Sequence, residues 1–283
     1  DIDFSFTLEG KFRFRAHIYL QIQGWSASFR IIPNEIKSIE ELNLPPILNE
    51  FVEKRQGFIL ITGPAGVGKS TTLAALIDSI NHTRQAHIIT IEEPIEYIFT
   101  PDKSFISQKE IPHHSPNWHR ALKATLREDP DVIMIGELRD PESIAIALTA
   151  AETGHLVLGT LHTNSASQTI DRIVDALPEE NRYQARLQLA STLIGVVSQR
   201  LVPMVKGGRI PACEILIANA AVRNLIRENK IYQIDYIIDT HLAEGMISLD
   251  RSLANLIQMG YITLEKGLEF SPNPNKLEQF LKK

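Results

Sequence analysis

Cysteine is almost missing from this sequence: Cys213 is the one thiol among 283 residues. That excludes an internal disulfide framework and any four-cysteine zinc site. A lone Cys ordinarily serves as a small buried apolar side chain. Aromatic residues are scarce at 7%, and cations do not dominate, with a net charge of −5 and a pI near 6.0. Both features argue against a nucleic-acid surface, which needs a basic channel and, for single strands, stacking rings. A small local patch would escape such a count. No apolar run approaches the ~18–20 residues that span a bilayer, so no transmembrane segment is expected. No signal peptide, internal repeat or low-complexity tract is visible. The chain opens on Asp1-Ile2-Asp3-Phe4-Ser5-Phe6, which reads as the middle of a strand-rich domain. An upstream portion is therefore expected, and the expected compartment is the cytoplasm.

What is present is an ordinary globular balance, 43% hydrophobic and 22% charged, enough to build a core without staples. Residues 1–32 alternate in a strand-like way, as in Phe12-Arg13-Phe14-Arg15 and His17–Ile22. They are too few to fold alone. Pro33 begins a connector that passes Ile39–Leu44 and ends at Pro45-Pro46, so the expected division is 1–33, a linker 34–46 and a main domain 47–283. From Gly57 short apolar strands alternate with amphipathic helices. The pattern predicts strands at Phe58–Thr62, His87–Ile91, Val132–Ile135 and Leu156–Thr160, with helices near 69–80, 117–128, 142–153 and 166–176. Such alternation implies a largely parallel sheet covered on both faces, an α/β fold. Beyond residue 180 helices are expected to dominate. Arg182–Leu201 carries Leu187, Ala190, Leu193, Ile194 and Val197 at helical spacing, and the C-terminal third reads as a helical appendage.

Four stretches carry chemistry. Gly63-Pro64-Ala65-Gly66-Val67-Gly68-Lys69-Ser70, followed by Thr71, matches G-x-x-x-x-G-K-[ST] between a strand and a helix. Its glycines let backbone N–H groups converge on phosphate oxygens, and the helix N-terminus adds partial positive charge. Lys69 then reaches the β and γ phosphates of ATP, and the Ser70 hydroxyl ligates Mg²⁺. In Asp129–Glu137 an apolar strand ends on Gly136-Glu137. Gly136 takes the place where a metal-binding Asp is usual, which leaves Glu137 as the acid at the strand tip. Glu137 can polarise the attacking water, directly or through the metal's hydration shell; the alternative is a solvent-exposed acid at the start of the next helix. Thr90-Ile91-Glu92-Glu93-Pro94-Ile95-Glu96 sets three acids after a strand. Some of them can orient water around Mg²⁺, or they form a charged loop. Last, Thr153–Thr163 places His162 beyond a buried strand, in position to sense the γ-phosphate or to serve structurally.

Together GPAGVGKST, TIEEPIE, DPDVIMIGELRD and TGHLVLGTLHT resemble, in order, the boxes of the secretion ATPases of type II secretion and type IV pili. The resemblance runs from about residue 12 to about residue 260. It implies a RecA-like ATPase domain preceded by the remainder of a PAS-like domain, assembled as a homohexameric ring. It also implies functional roles for Lys69, Glu96, Glu137 and His162, with Ser70, Glu96 and Glu137 on the metal side. Gly136 is normal in that family, whereas Glu93 stands where Asp is usual. Within the family the retraction branch is the nearer: one cysteine cannot make the zinc module of extension and type II motors, and Ala221–Glu228 resembles a segment of retraction motors. The N-terminal Phe12–Arg15 and Ser28–Pro33 resemble the end of the PAS-like domain, with Gln23 replacing an expected arginine. An arginine among Arg13, Arg15 and Arg30 is expected to reach the γ-phosphate of a neighbouring subunit, the alternative being that they pair with surface acids. The implied partners are an inner-membrane platform protein and, through it, pilin, which places the chain at the inner face of the cytoplasmic membrane. Pilus extension or type II secretion, a nucleic-acid translocase and a non-hydrolysing scaffold remain the alternatives. Ala221–Glu228, with Arg223 and Arg227 off its apolar stripe, is expected to transmit force.

Overall fold

The computed structural model describes residues 1–32 and 35–282. Pro33, read as the start of the connector, and Asn34 lie outside the described residues. Three N-terminal strands, β1 (Ile2–Leu8), β2 (Phe12–Gln21) and β3 (Gly24–Ile32), form an antiparallel sheet in that order. Strict alternation divides its side chains between two faces. Phe6 stacks on Phe14 at 5.4 Å and meets Phe29 edge-on at 6.3 Å on one face. Ser5, Thr7, Arg13, Arg15 and Arg30 take the other, with Thr7 opposite Arg13 and Arg15 opposite Arg30. The polar face is turned toward the main domain, where the Arg13 guanidinium donates to the carbonyls of Ile95 and Glu96 at 2.7 and 3.0 Å.

The main domain begins with α1 (Leu48–Glu53), β4 (Gly57–Thr62), α2 (Lys69–Thr83), β5 (His87–Glu92) and β6 (Phe105–Glu110). It continues through α3 (Trp118–Thr125), β7 (Val132–Ile135), α4 (Pro141–Glu152), β8 (Leu156–Leu161), α5 (Ala166–Asp175) and α6 (Glu179–Thr192). Then come β9 (Leu193–Pro203), β10 (Arg209–Ile217), α7 (Ala220–Arg227), α8 (Ile234–Thr240), α9 (Leu249–Gln258), α10 (Leu264–Phe270) and α11 (Pro274–Leu281). The strands make one seven-stranded sheet, β10-β9-β4-β8-β7-β5-β6, in which only the β10–β9 pair is antiparallel. Every residue of β4, β7 and β8 is buried, as a parallel sheet covered on both faces requires. One face packs around Phe58, Leu60 and Ile133, the other around Ile59, Ile61 and Met134. Each such buried side chain contributes about 1.5–3 kcal/mol. Ile39 and Leu44, in the stretch read as linker, are buried in the second cluster beside Leu48 and Phe51.

Two sequence readings need correction. The helix expected across Arg182–Leu201 ends at Thr192, and the apolar positions from Leu193 onward belong to β9. That strand runs between β4 and β10 and is covered on both faces, so its apolar residues are continuous, and continuous runs do not distinguish strand from helix. Gly195 marks the difference: a Cβ there would meet the Phe51 ring and the Leu216 carbonyl at 2.5 and 2.6 Å. The C-terminal third is therefore two sheet strands followed by helices. These helices close a small core of Val202, Ile210, Leu249, Leu253 and Leu277 at the far end of the β9–β10 hairpin. β6 was not foreseen either.

The second correction concerns α7. Val222 and Ile226 are buried, as the apolar stripe predicts. Arg223 is not a free docking cation. Its guanidinium donates to the carbonyls of Ala190 and Ser191 at 2.6 Å, Leu193 at 2.8 Å and Ala218 at 2.8 Å. It caps the last turn of α6, where carbonyls lack helical partners and attract a cation. Arg227 is exposed. Arg223→Ala should therefore lower unfolding free energy by about 1.5–3 kcal/mol, the scale of hydrogen bonds to a charged group. Arg227→Ala should stay within about 0.5 kcal/mol of the unsubstituted chain; paired urea titrations check the contrast.

Candidate active site

The C-terminal ends of β4, β5, β7 and β8 lie side by side, so the four loops that follow them open onto one edge of the sheet. This edge is where open α/β sheets bind ligands. The edge and the polar face of the N-terminal sheet enclose a cleft of about 620 Å³.

The loop between β4 and α2 curls because its glycines permit it. Gly63 has φ +140° and sits against β9, where a Cβ would meet the Gln199 carbonyl at 2.5 Å. Gly68, at φ 90°, is the N-cap of α2 and supplies no side-chain acceptor, and no acid lies in the first turn. The leading N–H groups of α2 are thus left for an anion. Ala65, Gly66, Gly68, Lys69, Ser70 and Thr71 line the cleft. Gly63, Pro64 and Val67 do not: Val67 is buried and its carbonyl accepts from Gln199 Nε2 at 2.7 Å.

Lys69 Nζ donates to the carbonyls of Gly63 and Pro64 at 2.8 and 2.9 Å and lies 3.3 Å from His162 Nδ1. An ammonium can only donate, so Nδ1 is the acceptor in this contact and Nε2 is left to face Glu137. That nitrogen is 3.4 Å from Glu137 Oε1. Burial pulls the Lys69 ammonium below its ordinary pKa, opposed by the attraction of Glu137. Glu137 feels burial pushing its carboxyl up, yet Arg139 and His162 together outweigh it and hold the group below the usual carboxylate range. Its Oε2 is 2.9 Å from Arg139 Nη2. Glu137 is therefore ionised and oriented from both sides. Gly136 has a packing reason: a Cβ there would press on the Ile91 carbonyl at 3.2 Å and the Trp118 ring at 3.5 Å.

The acids after β5 separate. Glu92 is buried, accepts from Thr90 Oγ1 at 2.7 Å and Gln108 Nε2 at 3.3 Å, and is pushed up to about 7, chiefly by desolvation. Glu93 accepts from Trp118 Nε1 at 3.0 Å and lies 3.5 Å from Arg139 Nη1. Glu96 pairs with Arg15 Nη1 at 3.6 Å.

The three N-terminal arginines also separate. Arg13 does not line the cleft; besides the carbonyls of Ile95 and Glu96 it holds Ser5 and Thr7, at 2.6 and 3.2 Å. It is a brace for the loop that carries Glu96. Arg15 and Arg30 do line the cleft, and they enter it from the same chain as the P-loop. Their cross-strand pairing sets two cations directly opposite each other, which destabilises a bare sheet and is offset in part by the Glu96 carboxylate beside Arg15. Arg139 and Trp118 escaped the sequence reading, although Arg139 stands two residues beyond the strand-tip acid. Leu201 and Arg209 also line the cleft; they come from β9 and β10, so the misread strand hid them.

A glycine loop at a helix N-terminus, a lysine on its carbonyls and an oriented carboxylate at the next strand tip but one define a P-loop nucleoside triphosphatase of the RecA-like, doubly wound kind. The chain belongs to the Type II/IV secretion system protein family, whose model matches residues 6–214. It is 49% identical over 278 residues to a protein of Neisseria gonorrhoeae described as "Twitching motility protein", covering 98% of this chain and 74% of the relative. It is 45% identical over 274 residues to the "Type IV pilus retractation ATPase PilT" of Pseudomonas aeruginosa, covering 97% and 80%. Among solved structures, that of the pilus retraction motor PilT with bound ADP superposes with a TM-score of 0.91 at 48% identity, covering 98% of this chain and 79% of the other.

Lys69→Ala should abolish nucleotide binding, whereas Glu137→Gln should bind Mg·ATP normally and lose about 10²–10⁴-fold in turnover, the range for a general base. Calorimetric titration and phosphate release separate the two. Glu92 makes a second prediction. Its folded pKa lies above its unfolded one, so the folded state holds the extra proton and stability falls as pH rises from about 4.5 to about 7. Glu92→Gln should flatten that decline in melting temperature across the same window.

Proposed function

We propose that this chain is the ATPase of a type IV pilus retraction motor, hydrolysing ATP to ADP and phosphate in a Mg²⁺-dependent reaction and acting as a homohexameric ring. The observation that carries the reading is the contact sequence Lys69–His162–Glu137 in one cleft, in a chain whose strong relatives are named for twitching and pilus retraction. Lys69 and the N-terminal N–H groups of α2 hold the phosphates. Glu137 takes the proton of the attacking water, while His162, in contact with Lys69, keeps that carboxylate aimed. Arg15 and Arg30 offset the phosphate charge.

The residues at the cleft fit Mg²⁺. The Ser70 hydroxyl is exposed in the first turn of α2, and Glu96 and Glu137 are oxygen acceptors of the kind that hold the waters this ion retains. When bound, Mg²⁺ draws charge from the phosphate oxygens. No helix among the described residues is long and apolar enough to cross a membrane. The working location in this reading is the inner face of the cytoplasmic membrane, against a platform protein that passes force to pilin. The division at residues 33 and 46 belongs to the same reading, with 1–33 as the remainder of a PAS-like domain. The exposed Arg227, rather than Arg223, is the charge on α7 available to that contact.

In a piliated bacterium lacking its own retraction motor, the full-length protein should restore twitching, and its Glu137→Gln form should leave the cells hyperpiliated. Full ATPase activity from a stable monomer would overturn the ring. Mixing separately inactive Arg30→Ala and Lys69→Ala proteins should recover no activity, because Arg30 serves the P-loop of its own chain; recovery in mixed rings would show that it acts on a neighbour.

A further inference from the structure

Glu93 lies among the acids that, by composition alone, would serve the metal's water shell, and its geometry points elsewhere. One oxygen, Oε2, meets both Trp118 Nε1 at 3.0 Å and Arg139 Nη1 at 3.5 Å. The other end of the same guanidinium, Nη2, is 2.9 Å from Glu137 Oε2. Arg139 therefore lies between two carboxylates, one on the loop after β5 and one at the tip of β7. The backbone around it is fixed: the Leu138 N–H donates to the Thr160 carbonyl at 3.0 Å, and Asp140 caps α4 by accepting from the Ser143 N–H at 2.8 Å. The side chain, by contrast, is 57% exposed. A long, solvated arginine tied at one end alone samples many rotamers. Tied at both ends, its planar fork is held in one plane.

We propose that Glu93 is a positioning residue that acts on the reaction only through Arg139, with Trp118 as the anchor that fixes Glu93. The contacts run Trp118 to Glu93 to Arg139 to Glu137, and the last of these is the group that faces the water. The indole N–H is a single-direction donor set on α3, a helix whose N-cap is Asn117, accepting from Arg120. It fixes Glu93 Oε2 without competing for Glu137. A glutamate here, one methylene longer than aspartate, lets its oxygen reach the indole and the guanidinium together. The proposal rests on the ATPase reading of the cleft. It differs from a metal-shell role for Glu93 in one respect that can be measured: effects transmitted through Arg139 do not add to the loss of Arg139.

The test is a double-mutant cycle on the full chain. Glu93→Ala and Arg139→Ala should each lower kcat about 10-fold with little change in KM, a loss of the size seen when a supporting contact to a catalytic group is removed. The double variant should be no slower than Arg139→Ala alone. Arg139→Lys should recover part of the loss only while Glu93 is present. The gain in nucleotide affinity that Mg²⁺ confers, measured as Kd for ATP with Mg²⁺ against Kd with chelator, should be unchanged by Glu93→Ala. Losses that multiply in the double variant, or a Mg²⁺-dependent affinity gain that disappears with Glu93, would overturn the proposal. A readout independent of turnover keeps its failure apart from that of the ATPase reading. In nucleotide-free protein the isotope-labelled guanidinium of Arg139 should rotate slowly about its Nε–Cζ bond, and measurably faster in Glu93→Ala and in Trp118→Phe, with the contact to Glu137 still in place. Unchanged rotation in Glu93→Ala overturns the tether even if hydrolysis is normal.

Discussion

A parallel sheet buried on both faces leaves its strand ends as the place where polar chemistry can emerge, and the rest of this molecule follows from that constraint. β4, β8, β7 and β5 are four consecutive strands of the sheet, so the loops after them converge on one edge although they are spread over about a hundred residues of sequence. The buried strands supply stiffness. The crowded contact at Gly63 supplies proximity, since it lets the loop sit closer to β9 than any side chain would allow, and Gly136 sits tightly against the Ile91 carbonyl. A phosphate-binding loop and a water-facing carboxylate are thereby held within the reach of one histidine.

The electrostatics of the cleft alternate in sign. Lys69, Glu137, Arg139 and Glu93 follow one another through close contacts, with His162 between the first two. Such a chain lets an ionised carboxylate remain at a half-buried position, where desolvation alone would favour its neutral form. Glu92, at the end of β5, is buried with a hydroxyl and an amide as its hydrogen-bond partners, and desolvation pushes it up to about 7. Glu92 and Glu93 both border the cleft, yet the first is held by uncharged partners and the second by the Trp118 indole and the Arg139 guanidinium.

The N-terminal sheet divides its labour by face. Its polar side gives Arg13 to the loop that bears Glu96 and gives Arg15 and Arg30 to the cleft. Its other side is apolar, with Phe12, Trp25, Phe29 and Ile31 exposed. Placing two arginines opposite each other is a local cost, offset in part by the Glu96 carboxylate beside Arg15. The sheet therefore forms one wall of the cleft.

Local sequence determined the P-loop, the buried strands β4, β5, β7 and β8 and their helices, because each rests on a short-range pattern: a glycine spacing, an apolar run, a strand followed by an amphipathic period. It also determined the four boxes and their order, and with them the family. Tertiary structure decided what periodicity cannot express. β9 was read as helix because a strand covered on both faces has no alternation to display, and with it went Leu201 and Arg209. Arg13, Arg15 and Arg30 look equivalent in sequence, yet pairing register and the position of the loop at Glu96 make the first a brace and the other two cleft residues. Arg223 looked like a free surface charge until the end of α6 was brought beneath it. In each case the deciding partner is distant in the chain, and a side chain's role is set by whichever carbonyl, carboxylate or strand the fold places against it.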